Sequence, residues 1–338
     1  MSTEPRCLIT GFTGMVGSHL ADHLLANTDW RIFGFLRWNE DLTNVEHLLP
    51  RVNDGDRVEL IYGDLNDLPS VERAVREARP DYVFHLAAQS FPRTSFDAPL
   101  ETLQTNVLGT AGLLEAIRHS GLSPTIHVCA SSEVFGRVPS ERLPIREDAP
   151  FHPASPYAIS KVGTDLIGRF YAEAYGMRVM TTRMFTHTGP RRGDVFAEST
   201  FAKQIALIEE GRIPPVIRVG NLDSMRTWSD VRDAVRAYHL LVTVNPIPGE
   251  FYNIGGTFSC TVGQMLWHLL SLSTRNDIEV EVDPDRLRPI DADLQIPDTT
   301  KFREHTGWKP EIPFEKTMLD LLEWWRARVA SGRHFLVR

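Results

Sequence analysis

The chain has 338 residues, enough to bury a large core as one domain or two lobes. It is 42% hydrophobic and 24% charged, as folded globular proteins are, and its formal net charge of −8 argues against a general nucleic-acid binder. Three widely spaced cysteines, Cys7, Cys129 and Cys260, lack C-x-x-C spacing, which speaks against a disulfide framework or a zinc site and for a reducing, cytoplasmic setting.

In chain order, short apolar runs alternate with helical patterns. Cys7–Thr10 reads as a strand that ends in a glycine turn, and Met15–Leu25 as a helix. Arg31–Leu36 and Val58–Tyr62 read as strands, and Val71–Ala78 as a helix. Asp81–Leu86 is a fourth strand, Leu100–His119 a long helix and Thr125–Ser131 a fifth strand. This alternation predicts an α/β fold, a Rossmann-like doubly wound parallel sheet. Pro150, Pro153 and Pro156 mark a loop before a helix over about Tyr157–Tyr175, and Arg178–Phe185 reads as a further strand. Beyond residue 185 the signals mix, which suggests a smaller α/β lobe over 186–338, interleaved with a nucleotide-binding domain over 1–185. Phe314–Arg328 reads as a last amphipathic helix. The polar start, Met1–Arg6, does not look like a signal peptide, and no run nears the ~20 apolar residues of a membrane span.

Gly11, Gly14 and Gly17 join the first strand to the first helix. That context suits a dinucleotide: a tight turn at Gly11, close backbone approach at Gly14, close helix packing at Gly17, and free N–H groups facing a pyrophosphate. An NAD enzyme usually ends its second strand in a carboxylate. Here Phe33–Leu36 is followed by Arg37, which suits a 2′-phosphate and favours NADP, with NAD the second choice. Asp64, after the third strand, is placed to accept from an adenine amino group, or to serve an ordinary turn.

Tyr157 and Lys161 lie four residues apart on one helical face, where an ammonium would stabilise a phenolate for proton transfer. Ser131, at the end of the fifth strand, could hold the reacting oxygen beside them. No His, Asp or Glu spacing suggests a metal.

The glycine turn, His85-Leu-Ala-Ala88, Asn106, Ser131 and Tyr157-x-x-x-Lys161 occur in order at suitable intervals. The chain therefore resembles the extended short-chain dehydrogenase/reductase superfamily. Ala88-Gln-Ser-Phe91, Gly189-Pro-Arg-Arg-Gly193, Arg218-Val-Gly-Asn221 and Arg288-Pro289 resemble GDP-mannose 4,6-dehydratases and the related GDP-4-keto-6-deoxymannose reductases. The resemblance implies cofactor contacts from Thr13, Met15, Val16, Leu65, Leu86, Ala87 and Ala88, as well as from Tyr157 and Lys161. It implies substrate contacts from Gln89, Ser90, Ser132, His187, Arg192, Lys203, Arg218, Arg226 and Arg288. Glu133 matches the base that a dehydratase needs at carbon 5 of the sugar, and Ser132 before it favours a GDP-mannose type.

Two stretches point elsewhere. Many dehydratases follow the second strand with a paired-arginine, serine-rich loop, whereas Arg37-Trp-Asn-Glu40 has one arginine and an acid. Arg226–Asp233 is closer to the reductase style. The expectation is thus a dehydratase acting on a GDP-linked sugar, with an NADPH-dependent reductase, another nucleotide-sugar enzyme or a non-catalytic nucleotide-binding module as alternatives. The resemblance also implies a homodimer through the two long helices, with a tetramer as the alternative.

Overall fold

The computed structural model describes residues 4–287, 293–333 and 335. The first half runs β1 (Arg6–Thr10), α1 (Met15–Asn27), β2 (Arg31–Leu36), α2 (Leu49–Asp54), β3 (Val58–Tyr62), α3 (Leu68–Ala78) and β4 (Tyr82–His85). It continues with α4 (Pro92–Asp97), α5 (Pro99–Leu103), α6 (Gly109–Ser120), β5 (Thr125–Cys129), α7 (Pro156–Tyr175) and β6 (Val179–Met184). The second half contains β7 (His187–Thr188), α8 (Ala197–Glu209), β8 (Val216–Val219), β9 (Met225–Asp230), α9 (Val231–Thr243) and β10 (Phe251–Ile254). It ends with β11 (Phe258–Thr261), α10 (Val262–Ser271), β12 (Glu279–Val282), β13 (Leu294–Gln295), α11 (Thr300–Thr306) and α12 (Phe314–Ala330).

Seven strands form a parallel sheet in the order β10-β6-β5-β4-β1-β2-β3. Apolar clusters cover both faces, one including α1 and α9, the other including α3, α6 and part of α7. Burial on both sides explains why the strands read as apolar runs. The strand order reverses between β1 and β4, so the crevice of a doubly wound sheet opens at their C-terminal ends. β10 comes from the second half yet pairs with β6, and α9 packs against α1, so later residues complete the first sheet.

The second lobe holds β11-β9-β13, with β7 beside β9, and a parallel β8–β12 pair. Its core gathers residues of α8, α10 and α12, including Phe201, Leu266 and Trp325. Trp308 is also buried, with its indole donating to the Asp233 carbonyl at 3.0 Å.

The long helix expected over 100–119 is interrupted. Gln104–Leu108 winds as a π-helical turn between α5 and α6. Asn106 sits buried at that turn. Its amide accepts from Gln89 N at 2.8 Å and donates to Gln89 O at 3.0 Å and Ser160 Oγ at 2.9 Å. Its carbonyl accepts from Thr110 and Thr164 hydroxyls. These bonds tie the loop after β4 to α7 and offset the irregular winding.

α7 is well delimited. Ser155 caps Ala158 N, Pro156 occupies the first turn and Gly176 closes the end at φ +65°. Tyr157 and Lys161 are both buried, on one face.

Candidate active site

A cavity of about 1530 Å³ opens at the C-terminal ends of β1, β2, β3, β4 and β5. Single-ligand pockets are usually ~300–1,000 Å³, so this one has room for two ligands. The second lobe closes it through His187, Arg192, Arg226, Trp228, Arg286 and Trp325.

The glycine turn forms one end. Gly11 has φ +70°, and a Cβ there would lie 2.8 Å from Ala87 N. A Cβ on Gly17 would lie 2.3 Å from Gly11 O. Gly14 precedes α1, whose N-terminus has no side-chain cap and no acid in its first turn. Its first N–H groups are therefore free to face an anion. Thr13, Met15 and Val16 line the same end.

Next to this end, the Thr10 hydroxyl accepts from Leu86 N and Ala87 N, each at 3.1 Å, and meets His85 Nδ1 at 2.9 Å. His85 Nε2 lies 2.9 Å from the Thr110 hydroxyl, which itself donates to Asn106 O. Burial pushes the His85 pKa down to about 3, helped by Lys161, so the ring is a neutral spacer. Leu86, Ala87 and Ala88 are thereby held on the cavity wall.

At the end of β2, Arg37 lines the cavity, and its Nε donates to Glu40 Oε1 at 2.6 Å. Asp64 and Leu65 line the wall beyond β3. One Asp64 oxygen accepts from Asn66 N at 2.8 Å, so that carboxylate also shapes its own turn.

Ser131, Glu133, Tyr157 and Lys161 meet on one wall. Ser131 and Glu133 follow β5, and Ser131 Oγ accepts from Glu133 N at 3.2 Å. Tyr157 and Lys161 enter from the first turns of α7. Burial pushes the Tyr157 phenol well above its ordinary pKa. The hydrogen bond from Ser131 and the charge of Arg192 oppose the shift, and the charge of Glu133 adds to it. Lys161 Nζ donates to Cys129 O at 2.8 Å and lies 6.0 Å from the Tyr157 ring centre. Burial lowers the lysine pKa, and Cys129 opposes this. The expected phenolate stabilisation by Lys161 is not among the main influences on the phenol, where burial dominates.

His187 also lines the cavity. Its Nδ1 faces Phe185 O at 3.1 Å; a carbonyl only accepts, so Nδ1 carries the proton and Nε2 is left as an acceptor. Burial first, then Arg192, lowers its pKa to about 4. Arg192 pairs with Glu198 at 3.0 Å and stacks over Phe196 at 3.4 Å. Ser90, Ser132 and Arg226 line the wall as well.

Several expected substrate residues are placed differently. Gln89 borders the cavity, but its side chain is used internally: Nε2 donates to Thr102 and Oε1 accepts from Phe91 N at 2.6 Å. Lys203 is buried, 2% exposed, and paired with Asp194 at 2.9 Å; it does not line the cavity. Its ammonium reaches the cavity through Asp194, which does line it, and lies 5.9 Å from the Trp325 ring centre. Arg218 is exposed on β8, because strand alternation buries Ile217 and Val219 instead. Arg288 lies outside the described residues. Arg286, which reasoning from the sequence missed, does line the cavity and pairs with Asp283 at 3.2 Å. Only its place after β12 brings it there, and no motif spacing marks it. Among the described residues, no group of three His, Cys, Asp or Glu is set to hold a metal, and no helix is long and apolar enough to cross a membrane.

The sequence profile of the family described as GDP-mannose 4,6 dehydratase matches residues 8–321. A GDP-mannose 4,6-dehydratase of Yersinia enterocolitica is 31% identical, covering 94% of this chain and 92% of that protein. A GDP-6-deoxy-D-mannose reductase of Pseudomonas aeruginosa is 32% identical over 96% of this chain and 98% of its own. Among solved structures, RMD from Pseudomonas aeruginosa complexed with NADPH has a TM-score of 0.81 at 29% identity, covering 96% of this chain and 99% of that one. DesIV, a dTDP-glucose 4,6-dehydratase from Streptomyces venezuelae solved with NAD and DAU as a double mutant, has a TM-score of 0.85 at 26% identity, covering 96% and 98%. Sequence profile, relatives and sheet order agree along nearly the whole chain, which belongs to the GDP-mannose 4,6-dehydratase family of the extended short-chain dehydrogenases/reductases.

Proposed function

We propose that this protein converts GDP-mannose to GDP-4-keto-6-deoxymannose, using NADP that is regenerated in each turnover. The observation that carries this reading is the shared wall of Ser131, Glu133 and Tyr157 beside the glycine turn. A reaction at carbon 4 followed by loss of water across carbons 5 and 6 needs a proton carrier for one oxygen and a separate base for one carbon. The wall supplies both.

The residues fit a dinucleotide: the crowded Gly11 and Gly17 positions bring backbone close, and the uncapped start of α1 offers its N–H groups at the turn. Gly11, Thr13, Gly14, Met15, Val16 and Gly17 would hold the pyrophosphate. Leu86, Ala87 and Ala88 would flank the rest of the cofactor. Asp64 and Leu65 would hold the adenine end, with Arg37 for a 2′-phosphate. When bound, NADP supplies the acceptor for a hydride from carbon 4 and its return to carbon 6.

Tyr157 takes the proton of the 4-hydroxyl, and Ser131 holds that oxygen in place. Lys161 brings positive charge to the same corner and binds the cofactor. Glu133 removes the proton from carbon 5, made acidic by the adjacent ketone, and water leaves from carbon 6. His187, a neutral acceptor, suits a sugar hydroxyl. Ser90, Ser132 and Arg192 complete the sugar end. Arg226 and Arg286, two of the arginines that line the cavity, would face the diphosphate, since guanidinium suits phosphate oxygens. Gln89 acts by shaping the loop after β4.

The chain is proposed to divide near residue 185, with the second lobe carrying most sugar contacts. A homodimer is proposed through α5, the π-helical turn and α7: Leu100, Leu108, Ile159, Leu166 and Phe170 are exposed there, and the last three form one stripe along α7. Three free thiols suit a reducing cytoplasm.

The test is incubation with GDP-mannose and catalytic NADP. Product lighter by one water, without net reduced cofactor, is expected. The reductase relative supports a second reading, in which NADPH is consumed one for one with the keto sugar. That stoichiometry, with no turnover of GDP-mannose, would replace the first.

A further inference from the structure

The turn after β2 holds a carboxylate and a guanidinium in one clasp at the cofactor end of the cavity. Glu40 N donates to Arg37 O at 3.2 Å, which closes the turn. Within it, Arg37 Nε donates to Glu40 Oε1 at 2.6 Å. The other oxygen, Oε2, accepts from Thr13 Oγ1 at 3.4 Å. Glu40 thus spans from the glycine turn to the end of β2, and all three residues line the cavity. Glu40 is the less exposed partner, at 26% against 60% for Arg37. Asp64 and Glu101 add to the negative field felt by Arg37.

In this fold a carboxylate near this point accepts from the ribose 2′-hydroxyl of NAD, whereas an arginine accommodates the 2′-phosphate of NADP. Here the two are paired with each other. A 2′-phosphate carries nearly two negative charges at neutral pH. With Nε taken by Glu40, a 2′-phosphate must bind Arg37 through its Nη groups and sit beside that carboxylate, unless it displaces Glu40. A plain hydroxyl needs no displacement, because it can donate to Glu40 as the clasp stands.

We propose that Glu40 is a specificity-determining residue that restrains Arg37, so that the protein accepts NADP and NAD with similar affinity. The proposal rests on the reading of the glycine turn as a dinucleotide site. It predicts that the preference for NADP is latent in Arg37 and is released when Glu40 is removed.

Dissociation constants measured by calorimetry on the full chain test this. The probes are NADP and NAD, with adenosine 2′,5′-bisphosphate and 5′-AMP as half-molecules without nicotinamide. The wild-type values for the two dinucleotides should lie within about tenfold of each other. Glu40→Ala should tighten NADP by about tenfold, roughly one charge-assisted hydrogen bond, and weaken NAD by about threefold. Glu40→Gln, which keeps the shape of the clasp, should move the ratio in the same direction by less. Adding Arg37→Ala to either variant should cancel the gain, and the bisphosphate should follow NADP throughout. If both dinucleotides bind but neither Glu40 variant moves their ratio by more than about twofold, the proposal fails alone. If the wild-type protein binds no dinucleotide, the proposal fails together with the cofactor reading beneath it.

Discussion

At the scale of single residues, environment separates two proton-handling groups. Tyr157 is buried, which raises the cost of the phenolate it must form to take a proton, and Glu133 is half-buried within reach of its electrostatic influence. Tyr157→Phe should lower kcat by about 100-fold or more, the scale of a positioned acid or base, while cofactor affinity changes by only a few-fold. Glu133→Gln should behave differently. The ketone would form but elimination would stall, so up to one reduced cofactor per site should appear at 340 nm (about the reduced-nicotinamide maximum) on mixing with GDP-mannose. No such absorbance, with turnover close to wild type, would remove Glu133 from the elimination step. Ser131, Tyr157 and Lys161 were legible because strand end and helical spacing fix them. Lys203 and Arg218 were not, since burial by Asp194 and the phase of β8 decide where those side chains go. Glu40 was legible only as an acid that departs from the dehydratase loop; the fold of the turn is what brings it to Arg37 and Thr13.

At the scale of elements, the strands of the first half were legible almost to the residue, because apolar runs buried on two faces leave little choice of boundary. The interruption of the helix after α5 was not. Nothing in Gln104–Leu108 breaks a helix by propensity; the irregular turn depends on partners on two other elements. Asn106 is the junction. Asn106→Ala leaves the Gln89 N–H and carbonyl without their partner, each costing about 1–3 kcal/mol, while the Ser160 hydroxyl keeps its bond to Tyr157 O. The expected loss is about 2 kcal/mol or more in urea unfolding, with faster hydrogen exchange in the loop 86–91. A loss below about 1 kcal/mol would mean that the turn is held by other contacts.

At the scale of the whole molecule, the return of β10 to the first sheet was the least legible feature, since a long stretch of chain separates it from β6 and local pattern carries no trace of the pairing. The same core buries neutral histidines. Burial lowers His85 and His127 to about 3, with the charge of Lys161 contributing to both and that of His85 to His127. Each is unprotonated in the folded state yet binds a proton near 6.5 when unfolded. The unfolded chain therefore gains protons first. Stability is complete above 6.5 and is lost as pH falls from there toward 3. Each of the two should cost about 1.4 kcal/mol per pH unit inside that window. Urea midpoints at pH 7.5 and 5.5 should differ, with the lower value in acid; equal midpoints would show that these rings gain partners that the fold does not provide. Assembly is tested separately. Leu166→Glu with Phe170→Glu should convert a dimer to a monomer in sedimentation, because both lie on the exposed stripe of α7.

The central claim is that one site oxidises carbon 4, eliminates water and reduces carbon 6 without releasing its cofactor. It is tested most directly by GDP-mannose carrying deuterium at carbon 4. The account predicts that the label is found at carbon 6 of a 4-keto-6-deoxy product, with the cofactor pool unlabelled. Label recovered in free reduced cofactor, or absent from the product, would contradict it.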